Sequence, residues 1–208
     1  SGSYELRKTV YARGETNEKI LEAVQKLNRL KSVKSRRKYF RIYYDYVKNN
    51  PLEGEKDLTE SLALFLKFPK GFIFQAFNLS FFPNYPITKY FLEHNLISEK
   101  DIEGNAGGTS ASNWITTFDS KKEYGGFLRR HEYYYLLFSL SQFKTFPNSL
   151  IRLIERKRLF YNRLSILYRL CRAVRMLELT VRISNYYWLW ELMSAIPACL
   201  KIKNKTIF

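Results

Sequence analysis

Basic and aromatic residues recur at helical spacing between residues 157 and 175, in a stretch without glycine or proline. At about 100° per residue, they share one side of a helix. Arginine supplies a fork matched to phosphate oxygens, and tyrosine offers a flat surface for a base or a hydroxyl for a phosphate. The composition of this side predicts contact with nucleic acid. The candidate contact residues are Lys157, Arg158, Tyr161, Tyr168, Arg169, Arg172 and Arg175.

The opposite side of the same predicted helix carries an apolar stripe that should face the core. Its members are Leu153, Phe160, Leu164, Leu167, Cys171 and Val174. The alternative interpretation of the basic side is an ordinary solvated helix surface. Only Glu155 and Glu178 interrupt the positive charges, which leaves few acids for pairing along the helix. Anionic membranes and acidic proteins are further possible ligands of this side.

A second basic segment extends from Lys26 to Lys48, with nine basic side chains against a single acid, Asp45. Tyrosine and phenylalanine are interleaved, a composition typical of a surface that follows phosphates and stacks bases. Phe40, Tyr43 and Val47 have helical spacing and should belong to the core. The candidate nucleic-acid contacts in this segment are Lys34, Arg36, Arg37, Lys38 and Arg41. Residues 34–38 also resemble a nuclear import signal.

The sequence shows no pattern of catalytic residues, so we expect a protein that is not an enzyme. His94 and His131 fall in different predicted helices, and neither has neighbours at metal-ligand spacing. Cys171 lies on the predicted buried stripe, which favours a structural thiol over a nucleophile. There is no glycine-rich phosphate loop, nucleophile elbow or dinucleotide motif. We therefore expect no catalytic residue, no metal ion and no cofactor.

One acidic cluster is compatible with an alternative function, that of a metal-dependent nuclease. Such a site needs two or three carboxylates that converge on Mg²⁺. The only dense cluster consists of Glu53, Glu55, Asp57 and Glu60. Its position in a turn and at the start of a predicted helix favours a loop and a helix cap.

The balance of charge indicates a polyanionic partner. The 208 residues include 35 Lys and Arg against 19 Asp and Glu, a formal net charge of +16. An excess of this size destabilises a compact fold by self-repulsion, which a bound polyanion would relieve. The surplus is 5 in residues 1–103 and 11 in residues 104–208. The second half is therefore the stronger candidate for binding.

The cysteine content and the hydropathy pattern favour an intracellular protein, in the cytoplasm or the nucleus. Cys171 and Cys199 are too few for a disulfide scaffold, and no secretion signal is recognised. The longest apolar stretches are Tyr133 to Leu140 and Tyr186 to Leu200. Both are shorter than the roughly 18–20 residues that cross a bilayer, so we expect no transmembrane segment.

The periodicity predicts an all-α fold, an irregular multi-helix bundle. Thr16 can cap a helix with apolar residues at 20, 24, 27 and 30. An extended start is expected over residues 4–13, and a long C-terminal helix, or a helical hairpin with a break near Ser184 and Asn185, after Asn148. The sequence of residues 72–82 is compatible with either a helix or a strand. Further helices are expected over about 35–49, 57–68, 87–96 and 127–143.

The chain should form one compact domain with an internal loop. Residues 104–113 are small and polar, which predicts a flexible connection. This loop separates an N-terminal helical region, residues 1–103, from a C-terminal basic helical region, residues 114–208.

We expect a non-enzymatic DNA- or RNA-binding protein, accessory or architectural, that contacts the phosphate backbone. The alternatives are a helical adaptor that docks an acidic protein partner and a peripheral binder of anionic membranes. The sequence leaves the oligomeric state open.

Overall fold

The all-α prediction is wrong, because the protein combines helices with a parallel pair of strands. A computed structural model describes residues 2–32, 42–79, 81–99, 102 and 126–181. Of the described residues, 59% lie in helices and 8% in strands, a mixed α/β composition. The predicted loop over 104–113 and the possible break near Ser184 lie outside the described residues.

The described residues form seven helices and two strands. In chain order these are α1 Tyr4–Val10, α2 Asn17–Ser32, β1 Tyr43–Lys48, α3 Glu55–Phe65, β2 Ile73–Asn78, α4 Pro86–Glu93, α5 Gly126–Ser141, α6 Asn148–Arg156 and α7 Leu164–Val181. Four helices, α2 to α5, fall where the sequence predicts them. The extended start is wrong, since Ser3 caps α1 by accepting a hydrogen bond from the Leu6 N–H at 3.3 Å.

The predicted helix over residues 35–49 is also wrong, because its second half is β1. In the register of the parallel pair, Tyr43 lies opposite Ile73 and Lys48 lies opposite Asn78. Residues 72–82, which could have formed a helix or a strand, therefore contain the strand β2. Aromatic and β-branched residues favour strands, and burial in β1 follows a period of two at its start. Tyr43, expected in the core, is 48% exposed, whereas Tyr46 is buried.

The hydrophobic core is built around α5, whose residues 131–141 are all buried. A helix that is surrounded on every side must pack against several elements at once. Phe138 of α5 lies 5.1 Å from Tyr46 of β1 and 5.2 Å from Phe65 of α3, measured between ring centroids. Phe74 of β2 joins the cluster at 5.4 Å from Phe65. Aromatic contacts therefore hold the strand pair and α3 to α5.

The three consecutive tyrosines of α5 each place a hydroxyl against a different part of the chain. Tyr133 donates to the carbonyl of Ile154 in α6 at 2.7 Å. The Tyr134 hydroxyl lies 2.9 Å from Thr59 Oγ1 in α3. Tyr135 accepts from the N–H of Asn49, just beyond β1, at 2.9 Å. These hydrogen bonds fix the positions of α6, α3 and β1 relative to α5.

The single long helix predicted after Asn148 is wrong, because a turn separates α6 from α7. The N–H of Arg158 donates to the Glu155 carbonyl at 3.0 Å, and the N–H of Leu159 donates to the Ile154 carbonyl at 2.9 Å. This is the Schellman pattern that ends helices, with Arg158 at φ 48° in the position glycine usually takes. The absence of glycine therefore hid the end of α6 from the sequence.

The break also divides the predicted apolar stripe. Leu164, Leu167, Cys171 and Val174 are buried on α7, as expected. Phe160 lies in the turn and packs at the edge of the core. Leu153 is 47% exposed, because it belongs to α6 and does not share a face with the α7 residues.

Replacing Arg158 should test the left-handed helix end. Arg158→Gly and Arg158→Ala remove the same side-chain contacts, but only glycine adopts φ 48° without a steric penalty. We expect the glycine variant to have a free energy of unfolding about 1 kcal/mol higher than the alanine variant. Urea denaturation of the two proteins measures the difference. An alanine variant of equal or greater stability would contradict this geometry.

Candidate nucleic-acid interface

The structure divides the C-terminal candidate residues into two groups. Lys157, Arg158 and Tyr161 lie in the turn between α6 and α7. The other group is on α7 and consists of Tyr168, Arg169, Arg172 and Arg175. The candidates of the first basic segment, Lys34, Arg36, Arg37, Lys38 and Arg41, lie outside the described residues.

The α7 group forms one continuous side of the helix. Tyr168, Arg172 and Arg175 are separated by four and three residues, which places them on one flank of α7. Arg169 points away from the buried stripe and is exposed. The guanidinium carbon of Arg172 lies 5.9 Å from the centroid of the Tyr168 ring, a cation–π arrangement. This flank and Arg169 are called the basic face of α7 below.

The turn group is tied to α3. Arg158 forms an ion pair and a hydrogen bond with the Glu55 carboxylate, and its guanidinium carbon lies 5.5 Å from the centroid of the Tyr161 ring. The Tyr161 ring meets Tyr133 of α5 edge-on, with centroids 5.3 Å apart. Lys157 is exposed at the end of α6. A phosphate that approached Arg158 would have to compete with Glu55.

Both candidate tyrosines are half-buried at the edge of the core. Tyr161 and Tyr168 pack against the buried cluster, and each already has an arginine over its ring. Base stacking needs a free aromatic face. The geometry therefore supports contact through guanidinium groups better than stacking on these rings.

The described part of the second half has very few acids at its surface. Residues 126–181 contain eleven Lys and Arg against three acids, Glu132, Glu155 and Glu178. Glu132 and Glu178 are both buried, and Glu178 accepts from the Thr145 N–H at 3.1 Å. Glu155 is the only one of the three that stays partly open to solvent. The surface of residues 126–181 consequently carries a large excess of positive charge.

Sequence reasoning missed a buried polar cluster beyond the carboxyl end of β1. His131 Nε2 lies 3.0 Å from the Glu53 carbonyl, and Nδ1 lies 3.0 Å from the Tyr135 hydroxyl. Burial lowers the pKa of His131 to about 4, with Arg130 also lowering it, so the imidazole is neutral at pH 7. Since a carbonyl only accepts, Nε2 carries the proton and Tyr135 donates to Nδ1.

The Glu53 carboxylate completes this cluster. The buried Tyr46 hydroxyl donates to it and also lies 3.3 Å from Ser61 Oγ. Ser61 Oγ accepts from the Gly2 N–H at 2.6 Å. Glu53 and His131 are 78 residues apart, so no local motif could have revealed their contact. The five side chains of the cluster, Tyr46, Glu53, Ser61, His131 and Tyr135, are all buried, which indicates a structural role that joins β1, α3 and α5.

Three of the four acids weighed for Mg²⁺ make structural contacts. Glu53 binds Tyr46, Glu55 pairs with Arg158, and Asp57 Oδ2 accepts from the Gly54 N–H at 2.9 Å before α3. In the part of the chain that the structure describes, no three metal-ligating side chains come together. The Cys171 thiol is buried against the Leu136 carbonyl at 3.5 Å, and burial raises its pKa.

Comparison with known proteins provides no relative: no family model, no curated protein and no solved structure matches the chain. Among the described helices, none is long and apolar enough to cross a membrane. A functional assignment therefore depends on the chemistry of the described surface.

The buried imidazole makes stability depend on pH. His131 gains a proton near pH 6.5 in the unfolded chain but only near pH 4 in the folded one, so the free energy of unfolding should fall as the pH drops between these values. The loss is on the order of 3 kcal/mol. His131→Gln should be less stable at pH 7 and lack this part of the pH dependence. Urea titrations from pH 7.5 to 4 measure it.

The exposed His94 provides the matched control, because His94→Gln replaces an imidazole outside the core. We expect the His94→Gln protein to keep the pH dependence of the unchanged chain. If His131→Gln also keeps it, the buried neutral imidazole is not its source.

Proposed function

We propose that the protein binds nucleic acid, DNA or RNA, through the phosphate backbone and acts as an accessory or architectural component. The observation that carries this proposal is the charge of residues 126–181, where eleven basic residues face a single acid that is not buried. Phosphate oxygens are the ligands that arginine forks match best. The basic face of α7 supplies three such forks along about two turns of helix.

The choice of backbone over bases follows from the tyrosines. The rings of Tyr161 and Tyr168 are covered on one side by arginine and pack against the core. Without free stacking surfaces, affinity must come from charge, and duplexes present a denser row of phosphates than single strands. We therefore propose a preference for duplexes and little dependence on base sequence.

A charge reversal on the basic face should test the proposal. Arg169→Glu, Arg172→Glu and Arg175→Glu together should weaken binding to a 20-base-pair DNA duplex by more than about tenfold at 0.1 M salt. The log–log salt slope should fall by about two to three, since each lost phosphate contact contributes roughly 0.9. Fluorescence anisotropy at several salt concentrations measures both, with a single strand of equal length for comparison.

The control must change the net charge equally at another place. Lys8→Glu, Lys19→Glu and Lys56→Glu reverse three exposed lysines of the first half. We expect only a small loss, because these lysines lie on other elements. Thermal melts followed by circular dichroism show that both proteins fold. If the arginine triple binds as the unchanged protein does, or both triples lose equally, the basic face is not the site.

The ion pair of Arg158 offers an opposite test, in which binding should improve. Glu55→Gln releases Arg158 from its carboxylate partner, so we expect duplex affinity to rise about two- to fivefold at low salt. Glu60→Gln removes the same charge from α3 at a residue for which no pair with Arg158 is seen. The difference between the two variants isolates the pair. Equal affinities would place Arg158 outside the binding surface.

A further inference from the structure

Helix α6 has an apolar side that the core covers only in part. At about 100° per residue, its apolar residues span about 160° of arc. They are Leu150, Ile151, Leu153 and Ile154. The isoleucine half is buried, with Ile151 0% and Ile154 2% exposed. The leucine half lies at the surface, where Leu150 is 37% and Leu153 is 47% exposed.

The turn after α6 adds a third leucine to this surface. The N–H of Leu159 donates to the Ile154 carbonyl at 2.9 Å, which brings Leu159 back over the last turn of the helix. In a Schellman helix end, this residue usually contacts the third and fourth residues from the helix end, here Ile154 and Leu153. Leu159 is itself 40% exposed. Leu150, Leu153 and Leu159 are called the leucine edge of α6 below.

Basic side chains border the leucine edge, and the acid of α6 lies away from it. Lys157, directly after the last residue of α6, falls in angle between Leu150 and Leu153. Arg156 lies about 60° beyond Leu153. Both cations are exposed. Glu155, the only acid of α6, lies about 160° from Leu153 on the other side of the helix.

The combination of leucines and cations limits the kind of partner. Nucleic acid would use the cations and leave the leucines in water. A second copy of this chain would bring the same cations together, between two proteins of net charge +16. A partner helix is usually held in an apolar groove, whereas the leucine edge belongs to one helix and its own turn. A flat surface can reach such an edge without a groove.

A membrane with anionic lipid has both of the chemistries that this surface needs. Apolar side chains of a peripheral helix enter the boundary between headgroups and acyl chains. Lysine and arginine beside them extend their charged ends to the anionic headgroups. We infer that the leucine edge of α6, with Arg156 and Lys157, binds the surface of an anionic membrane. This binding is independent of duplex binding at the basic face of α7.

Vesicle flotation tests the membrane surface of α6 directly. The probes are vesicles of phosphatidylcholine with about 30% phosphatidylserine, and vesicles of phosphatidylcholine alone. The 208-residue chain should bind the anionic vesicles at least about tenfold more tightly at about 0.15 M salt, because the cations need anionic headgroups.

Substitutions of leucine locate the apolar contact. Leu150→Ser with Leu153→Ser should weaken binding to the anionic vesicles by more than about tenfold, because two apolar side chains no longer enter the bilayer. The matched control is Leu27→Ser with Leu30→Ser, a pair of the same spacing on α2 with 39% and 44% exposure. Acids are interleaved with the cations of α2, so this control should bind as before. Circular dichroism melts establish that both variants fold.

Neutral substitutions test the contribution of charge. Arg156→Gln with Lys157→Gln should reduce the preference for anionic over neutral vesicles by more than about fivefold, since each cation near an anionic surface adds about as much as a fivefold gain in affinity. Lys8→Gln with Lys19→Gln changes the net charge equally at two exposed lysines of other helices and should keep the preference. The Leu150 and Leu153 variant should retain the duplex affinity of the unchanged protein.

Several outcomes would overturn the inference. These are absence of flotation, equal binding to both kinds of vesicle, and an equal loss in the α2 control. Unchanged flotation of the Leu150 and Leu153 variant would show general adsorption of a basic protein. A dimer in sedimentation that requires these two leucines, without flotation, would identify a second copy as the partner. Binding of an acidic amphipathic peptide that requires them, again without flotation, would identify a protein.

Discussion

The burial of residues 131–141 of α5 is the constraint on which the rest of the structure depends. A helix with three consecutive tyrosines in the core must provide each hydroxyl with a partner, because an unsatisfied buried hydroxyl costs about 1–3 kcal/mol. Tyr133, Tyr134 and Tyr135 find theirs on α6, on α3 and after β1. The hydrogen bonds are directional, so they specify one arrangement of these elements where apolar packing alone would allow several.

The position of α7 beside α5 explains why one helix can carry two different exposed sides. Its buried stripe covers one side of a helix that is already enclosed elsewhere, and Tyr168 and Leu170 border that stripe at the edge of the core. The rest of the α7 circumference lies at the surface. Arg172 and Arg175 occupy one part of it, and Ile166 and Leu177 another, with Arg169 between them. Basic and apolar residues can alternate along the sequence of one helix and still lie on different sides of it, because the helix has 3.6 residues per turn.

The sequence predicted the helices whose signals are local and missed the features that depend on distant residues. Pro86 marks the first turn of α4, and Thr16 accepts a hydrogen bond near the start of α2, both as local patterns indicate. The tyrosines of β1 fit helical and strand spacing equally well, and only the pairing with β2 decides between them. The contact between His131 and Glu53 could not be predicted from the sequence, since only the fold brings these distant residues together. On α7 the spacing did identify the arginines that share a flank.

The placement of acids, more than the number of bases, makes the surface suited to polyanions. Glu53, Glu132 and Glu178 are buried. Their carboxylates contact, in that order, the Tyr46 hydroxyl, the Lys48 ammonium and the Thr145 amide. Each acid held inside is one fewer to neutralise arginines at the surface. Because charges are screened within about 10 Å at 0.1 M salt, the local surplus around α7 matters more for the proposed binding than the total charge does. On α7 itself the only acid is Glu178, and its carboxylate is buried and accepts from the Thr145 amide.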